Sequence, residues 1–173
     1  APGDGATGQA LIDVSDVVCF TGSVATGRKV AAQAAGRLIP AFLELGGKDP
    51  LIVARSASLD DAVAAALRGS VLSTGQACQS IERIYVDRAV HDDFLEKLVA
   101  SAAAARLNWP DIETGEIGPL IFDRQADTIA SQLADAVEKG ALVHTGGEIE
   151  THGGGRWVRP TVLSNVDHSM AIM

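Results

Sequence analysis

Two short segments of the chain carry side chains that can do covalent chemistry. Cys78 lies in the segment Gly75–Ser80, which reads G-Q-A-C-Q-S, and Glu44 lies in 43–48, which reads L-E-L-G-G-K. A thiol can form a covalent adduct with a carbonyl carbon, and a carboxylate can activate the water that later cleaves the acyl-thiol. Both residues lie near glycines, where the backbone can come close to a ligand. If the two act on one substrate as nucleophile and general base, they should face one cavity, with Cys78 Sγ and a Glu44 oxygen about 5–7 Å apart to share one water.

A third segment suits the binding of a diphosphate. The sequence from Phe20 to Gly27 reads F-T-G-S-V-A-T-G and gives a G-x-x-x-x-G spacing after an apolar strand and at a helix start. Free N–H groups and the helix dipole at such a start favour an anionic diphosphate. The spacing alone is a weak indication, because many α/β proteins place glycines at such turns, and it departs from a G-x-G-x-x-G fingerprint.

Strands and helices alternate along the chain and position these segments. The predicted strands are 16–20, 41–45, 51–54, 83–86 and 142–144, with extended chain over 157–163, and the predicted helices are 7–13, 24–35, 59–72, 89–106 and 123–139. Ser23 and Ser58 are predicted to cap two of these helices. The stretch from Gly146 to Gly155 is predicted to be a surface loop. The alternation favours the α/β class, with a mostly parallel sheet and flanking helices in three layers.

Composition excludes several classes of partner. The chain has 173 residues, of which 47% are hydrophobic and 4% aromatic, and its formal net charge is −8. That charge disfavours nucleic acid and anionic membrane surfaces, because both require a basic patch. No apolar run reaches the roughly 18 residues of a membrane span. The two cysteines form no disulfide framework, so a reducing, cytoplasmic setting is expected, and the four histidines have no metal-binding spacing.

The segments around Cys78 and Glu44 and their spacing resemble the aldehyde dehydrogenase superfamily, whose nucleophile lies in G-Q-x-C and whose general base lies in E-L-G-G-K. The resemblance extends over nearly all of the chain and includes Gly118-Pro119-Leu120 and 159–162. It implies that Cys78 forms a thiohemiacetal with an aldehyde and that a hydride then leaves to the nicotinamide of NAD or NADP. Glu44 would activate the water that hydrolyses the resulting thioester to a carboxylic acid, and the Cys78 N–H would help to hold the oxyanion.

The resemblance also implies a cofactor site and a domain organisation. The segment after Phe20 is similar to the family's F-T-G-S loop, so Ser23 would lie by the phosphates. The cofactor-binding residues that the resemblance implies are Thr21, Gly22, Ser23, Gly27 and Leu45, with the first two near the nicotinamide. Residues 1–45 would then form the end of an NAD(P)-binding domain and 46–173 a thiol-bearing catalytic domain. The parent protein is expected to be a cytoplasmic homodimer or homotetramer.

The family has further functional segments that this sequence does not contain, namely an oxyanion Asn upstream and an E-x-F-G-P segment downstream. The chain is therefore interpreted as a central fragment of a longer enzyme, and its 173 residues alone are expected to lack dehydrogenase activity. Two other interpretations stay open. One is a folded module without catalysis, and the other is a semialdehyde dehydrogenase that acylates coenzyme A, although family members of that type tend to lack the Glu. The residues do not identify the aldehyde.

Plainer roles are expected for other reactive side chains. Cys19 lies inside an apolar strand, so it is expected to be a buried structural thiol that iodoacetamide alkylates more slowly than Cys78. Glu44 has apolar neighbours, which predict partial burial suited to a general base. Lys48 is expected to be a surface or packing lysine, since it lacks a phosphate-loop pattern.

Overall fold

The computed structural model describes residues 2–173, and the chain forms two compact units, 1–47 and 48–173. The elements of the first unit are α1 (Gly5–Asp13), β1 (Val18–Gly22), α2 (Val24–Gly36) and β2 (Ala41–Leu45). Those of the second are β3 (Asp49–Val53), α3 (Leu59–Val71), a 3-10 turn (Leu72–Gly75), β4 (Ile81–Val86), α4 (His91–Ala104), α5 (Asp123–Glu138), β5 (Leu142–Thr145), β6 (Ile149–His152), β7 (Gly155–Val158) and β8 (Val162–Ser164).

In the N-terminal unit, β1 and β2 form a parallel pair on which α2 packs, and α1 packs on α2. Half-buried and exposed residues alternate along both strands, as expected for a sheet with one covered face. Helix α1 begins at its cap Asp4, whose carboxylate accepts from two backbone N–H groups. The Arg37 guanidinium donates to the carbonyl oxygens of Ile12 and Ser15 and so ties the ends of the two helices together.

In the C-terminal unit, β3 and β4 form a second parallel pair, and α3 and α4 pack against each other beside it. The core between them is aliphatic with one aromatic ring, and its buried members are Val53, Val63, Ala66, Phe94 and Leu98. Ser58 caps α3 through the Asp61 N–H. The acidic residues Asp60 and Asp61 lie in the first turn, where the helix dipole favours negative charge.

The remainder of this unit has two antiparallel pairs. Strand β5 pairs with β8, and β6 pairs with β7 in a hairpin whose turn holds Gly153 and Gly154 at positive φ. A second buried cluster joins Leu107, Ile117 and Trp157, and the Trp157 indole N–H donates to the His152 carbonyl. This cluster fixes the loop that precedes α5, because Leu120 N donates to Arg156 O of β7 over 2.7 Å.

The α/β class is confirmed, as are both serine caps. The predicted loop from Gly146 to Gly155 is wrong, because it contains strand β6, whose partner β7 lies next along the chain. The sheet is also less parallel than expected, since two of the four described strand pairs are antiparallel. Within residues 2–173, no helix is long and apolar enough to cross a membrane. In the same stretch no group of three or more His, Cys, Asp or Glu side chains is placed to hold a metal ion.

Candidate functional site

Cys78 lies at the corner of a tight turn between α3 and β4. The Ser80 N–H donates to the Ala77 carbonyl over 3.2 Å, which leaves Cys78 and Gln79 at the two corner positions. The thiol is exposed and donates to Gln79 Oε1 over 3.1 Å. Within residues 48–173 the Cys78 N–H has no hydrogen-bond partner. The turn therefore presents both a nucleophile and a free backbone donor.

The three residues before Gln76 have an unusual backbone. Ser73, Thr74 and Gly75 all have positive φ, at 54°, 59° and 67°. A glycine adopts this region freely, but it is sparsely populated by other residues and is an outlier for a β-branched threonine. Such a residue costs on the order of 1–3 kcal/mol and persists only where its surroundings hold it. The chain thus leaves α3 through a strained left-handed segment that leads directly into the Cys78 turn.

The strained segment is held by the loop Gly118–Phe122, called here the 118–122 loop. Thr74 Oγ1 accepts from Gly118 N over 2.9 Å. Gln76 uses both ends of its amide: Oε1 accepts from Ile121 N over 2.9 Å, and Nε2 donates to Pro119 O over 3.2 Å. Each such bond contributes about 0.5–1.5 kcal/mol net. Three bonds of this size match the cost of the left-handed residues, so the loop keeps the turn in place.

Ser80 closes the turn on the inner side. It is 5% exposed, and its hydroxyl has no hydrogen-bond partner among the described residues. A buried unpaired hydroxyl destabilises a fold by about 1–3 kcal/mol. The turn that carries Cys78 therefore has a strained segment on one side and an unsatisfied polar group on the other, which is typical of a segment kept for function rather than for stability.

Glu44 lies near the end of β2, and the parallel pairing places it beside Thr21 of β1. Both side chains are on the exposed face of this sheet. The predicted partial burial of Glu44 is therefore wrong for this unit: the alternation of the strand puts Leu43 and Leu45 on the covered face, and Phe42, 64% exposed, on the same face as Glu44. The carboxylate is free to bind a water molecule from this face.

The residues predicted to bind a cofactor gather at the same end of the parallel pair. Gly22 is the register partner of Leu45, and Ser23 follows it as the cap of α2, accepting from Thr26 N over 3.2 Å. The first N–H groups of α2 have no partner within the helix and point out of its start. These groups fit the oxygens of a diphosphate, since helix N-termini bind such anions. The Ser23 hydroxyl donates to Thr26 Oγ1 over 3.0 Å and would have to turn from it to join them.

Gly27 brings α2 close to β2. It is buried, and a Cβ at this position would lie 2.6 Å from the Leu45 Cδ2 atom. The Leu45 side chain therefore packs beneath the first turn of α2, and any side chain at position 27 would require the end of Leu45 to shift. The glycine spacing that predicted a phosphate-binding turn thus also has a packing role.

The structure brings Glu44 together with the five predicted cofactor residues in the first unit, whereas Cys78 lies in the second. The predicted separation of Cys78 and Glu44 stays a prediction. The expectation for Cys19 is wrong, because its side chain is exposed on the same uncovered face as Thr21. Exposure does not distinguish the two thiols, so the faster alkylation of Cys78 also stays a prediction.

Sequence reasoning missed the roles of Thr74 and Gln76, although both are immediate neighbours of the Cys78 turn. It also missed a charged group on the β6–β7 hairpin. There Glu150 accepts from His152 Nε2 over 2.7 Å and from Arg159 Nε over 2.6 Å, and these bonds lower the pKa of the Glu150 carboxyl. This group is structural, since it ties the hairpin to the chain that follows it.

Comparison with known proteins assigns the chain to a family. The model of the aldehyde dehydrogenase family matches residues 1–173, the whole of this sequence. The chain belongs to the aldehyde dehydrogenase family. The resemblance inferred from the segments around Cys78 and Glu44 is thereby confirmed at the level of the family.

Individual aldehyde dehydrogenases match along nearly the full chain. A Mycolicibacterium smegmatis protein provisionally named succinate-semialdehyde dehydrogenase, NADP(+) type, is 45% identical over 170 residues, which cover 98% of this chain and 33% of that protein. A structure from Anabaena variabilis, provisionally named an aldehyde dehydrogenase, has a TM-score of 0.95 at 55% identity and covers 98% and 36% of the two chains. The NAD+ complex of Staphylococcus aureus betaine aldehyde dehydrogenase has a TM-score of 0.91 at 32% identity and covers 98% and 35%. The chain thus spans about a third of the length of these proteins.

Proposed function

We propose that this chain carries the nucleophile, the general base and one phosphate-binding turn of an NAD- or NADP-dependent aldehyde dehydrogenase that produces a carboxylic acid. The observation that carries the proposal is the exposed Cys78 thiol at a turn corner, beside its own unpaired N–H. Membership of the family supports the same reaction class. The parent is proposed to be a cytoplasmic homodimer or homotetramer.

The first covalent step uses Cys78. Its thiolate attacks the aldehyde carbon, a C–S bond forms, and the carbonyl π electrons move to the oxygen. The unpaired Cys78 N–H is a donor for that oxyanion, and a donor placed in this way stabilises charge that develops in the transition state. When bound, the oxidised nicotinamide supplies the hydride acceptor that makes the adduct a thioester.

The second step uses Glu44. The carboxylate takes a proton from water as the water oxygen attacks the thioester carbonyl, and the C–S bond then breaks to release the acid and the Cys78 thiol. The exposed face that carries Glu44 is open to water. Because this Glu suits hydrolysis, the proposal favours a free acid over transfer to coenzyme A.

The cofactor would be held in part by the start of α2. The first N–H groups of this helix would bind the diphosphate, joined by the Ser23 hydroxyl once it turns from Thr26 Oγ1 toward the phosphate. Gly22 would contribute through its backbone, because the place of its side chain is taken by the Phe20 ring, 2.6 Å from a Cβ built there. Thr21 lies beside Glu44 in register, which would put it close to the reacting end of the cofactor. Leu45 would contribute from the end of β2.

The role of Glu44 can be tested with an activated ester, which needs no cofactor. 4-Nitrophenyl acetate should acetylate Cys78 at similar rates in the unsubstituted chain and in Glu44→Gln, with release of nitrophenolate. Hydrolysis of the acetyl-thiol should be roughly 10²- to 10⁴-fold slower in Glu44→Gln, the size of a general-base contribution. Glu96 is an exposed carboxylate on α4, so Glu96→Gln is the matched control. It should hydrolyse the acetyl-thiol at the rate of the unsubstituted chain. Equal hydrolysis in Glu44→Gln would contradict the assignment, and a chain that is never acetylated would favour a module without catalysis.

A further inference from the structure

Three hydrogen bonds connect the Cys78 turn to the 118–122 loop, more than forty residues further along the chain. We propose that Thr74 and Gln76 are positioning residues, which hold the Cys78 N–H where it can bind the oxyanion that forms when the thiolate attacks a carbonyl. The inference rests on the proposed nucleophile role of Cys78 and adds to it the residues that set its geometry. Neither side chain touches substrate in this scheme, since both act through the backbone.

The bonds are needed because the backbone between α3 and the turn is strained. Ser73 and Thr74 both hold positive φ without being glycine. Without a partner for the Thr74 hydroxyl and the Gln76 amide, these residues would relax toward the ordinary helical or extended regions. That relaxation would rotate the peptide units that follow and would turn the Cys78 N–H away from its present direction.

The loop that makes these bonds is itself fixed. Ile117, 2% exposed, packs with Leu107 and Trp157, and Leu120 N is bonded to Arg156 O of β7. The 118–122 loop is therefore tied to a buried cluster on one side and to a strand on the other. A rigid partner of this kind can transmit its position to Cys78, whereas a mobile loop could not.

Gln76 suits the task because its amide both donates and accepts. Its oxygen faces the Ile121 N–H and its nitrogen faces the Pro119 carbonyl, so the side chain matches one donor and one acceptor of the loop, on either side of Leu120. A carboxylate could satisfy only the first of these and would face the Pro119 oxygen with negative charge. A protonated carboxyl could satisfy both, because it has one donor and one acceptor.

The test uses Cys19→Ser as the background, so that Cys78 is the one thiol in the chain. In this background, Thr74→Val keeps the β-branched shape and removes the acceptor, while Thr74→Ser keeps the hydroxyl. Gln76→Met keeps the length and removes the amide. Gln76→Glu makes the donor depend on pH. Thr128→Val and Gln125→Met, both exposed positions on α5, are the matched controls.

Two rates are measured at Cys78. The first is acetylation by 4-nitrophenyl acetate, in which the thiolate attacks the carbonyl carbon, an oxyanion forms and nitrophenolate leaves. The second is exchange with dithiodipyridine, in which the thiolate attacks a disulfide sulfur, a new S–S bond forms and thiopyridone leaves without any oxyanion. Positioning of the N–H affects the first reaction alone.

Thr74→Val and Gln76→Met are expected to acetylate roughly tenfold to a hundredfold more slowly, the range of a displaced group or a lost oxyanion donor. Their exchange rates should stay within about threefold of the background, because the Cys78 thiol stays exposed. Thr74→Ser should acetylate at the background rate, because it keeps the hydroxyl. For Gln76→Glu, the acetylation rate divided by that of the background at the same pH should rise as pH falls from 8 toward 5. The controls should behave like the background.

Unchanged acetylation in both Thr74→Val and Gln76→Met would overturn the inference. An equal fall in acetylation and in exchange, together with a lowered melting temperature, would also overturn it, because that result indicates a structural role only. If either variant fails to fold, the pH series of Gln76→Glu decides: a ratio that does not change with pH contradicts positioning. Failure of the proposed function gives a different result, because the Cys19→Ser background itself would then acetylate no faster than the urea-unfolded chain, and the inference would fall with it.

Discussion

Replacing Gly27 by alanine tests how closely α2 must approach β2 beside Glu44. The new Cβ would lie 2.6 Å from Leu45 Cδ2 and 3.1 Å from Cδ1, so the leucine must move. Overpacking of this kind destabilises a fold by about 1–3 kcal/mol. Alanine in place of glycine stabilises a helix interior by about 0.5–1 kcal/mol, which offsets part of that cost. The free energy of unfolding of the N-terminal unit should therefore fall by up to about 2.5 kcal/mol.

Gly8→Ala is the matched control that separates the two effects. Gly8 is the fourth residue of α1 as Gly27 is the fourth of α2, and each donates its N–H to the carbonyl of the capping residue. No atom lies within 4 Å of a Cβ built at Gly8. Gly8→Ala should therefore gain only the stabilisation of alanine over glycine in a helix. Its free energy of unfolding should exceed that of Gly27→Ala by about 1–3 kcal/mol.

The assay is amide hydrogen exchange of peptides from 1–47, which reports the opening free energy of this unit separately from that of 48–173. Faster exchange in Gly27→Ala and slower exchange in Gly8→Ala are expected. If both variants slow exchange equally, the close packing of Gly27 on Leu45 would be refuted, and with it the reason given for a glycine at this position.

The other predictions concern the C-terminal unit and the whole chain. The Asp135 carboxylate accepts from Lys139 Nζ and from Ala171 N, both over 2.7 Å, and these bonds lower its pKa. A carboxyl whose pKa is lower in the folded than in the unfolded state stabilises the fold at pH values above its unfolded pKa of about 3.9. That stabilisation is lost as the pH falls through the folded pKa. Between pH 5 and 2, the free energy of unfolding measured in urea titrations should therefore fall less for Asp135→Asn than for the unsubstituted chain. An equal fall would contradict the role of the two hydrogen bonds to Asp135. Gly115→Ala would place a Cβ against the backbone of Leu107 and Asn108, so it should cost about 3 kcal/mol, whereas Gly36→Ala meets open space and should not lower the urea midpoint. The mass-verified polypeptide of 173 residues should form no NADH or NADPH from a panel of aldehydes while it still reacts with 4-nitrophenyl acetate, and robust NADH formation would refute this expectation.

The local features of the fold were predictable because their signals are local. Ser23 and Ser58 precede helical segments and cap them as expected, since a serine hydroxyl at a helix start pairs with an N–H three residues later. The alternation of strands and helices likewise predicted the α/β class. Strand β6 was missed because its flanking glycines resemble a loop, whereas they form the hairpin turn and its approach.

The environment of the site was less predictable, because it depends on contacts distant in sequence. Gln76 pairs with residues 43 and 45 positions away, and no periodicity in the chain announces that contact. Cys19 and Glu44 were expected to be at least partly buried from their apolar neighbours. Both are exposed, since strand alternation places them on the uncovered face of the β1–β2 pair. Apolar neighbours in sequence lie on the opposite face of a strand, so they do not report the burial of the residue between them.

The central claim is that Cys78 forms a covalent acyl-thiol, and the most direct measurement is the site of acetylation after a brief reaction with 4-nitrophenyl acetate. The reaction is quenched in acid, and the chain is digested. The acetylated peptide is then identified by mass spectrometry in the unsubstituted chain, in Cys78→Ser and in Glu44→Gln. One acetyl group on Cys78, absent in Cys78→Ser and enriched in Glu44→Gln, is the predicted result. Acetylation of Cys19 in preference to Cys78, or a modification that persists unchanged in Cys78→Ser, would contradict the account.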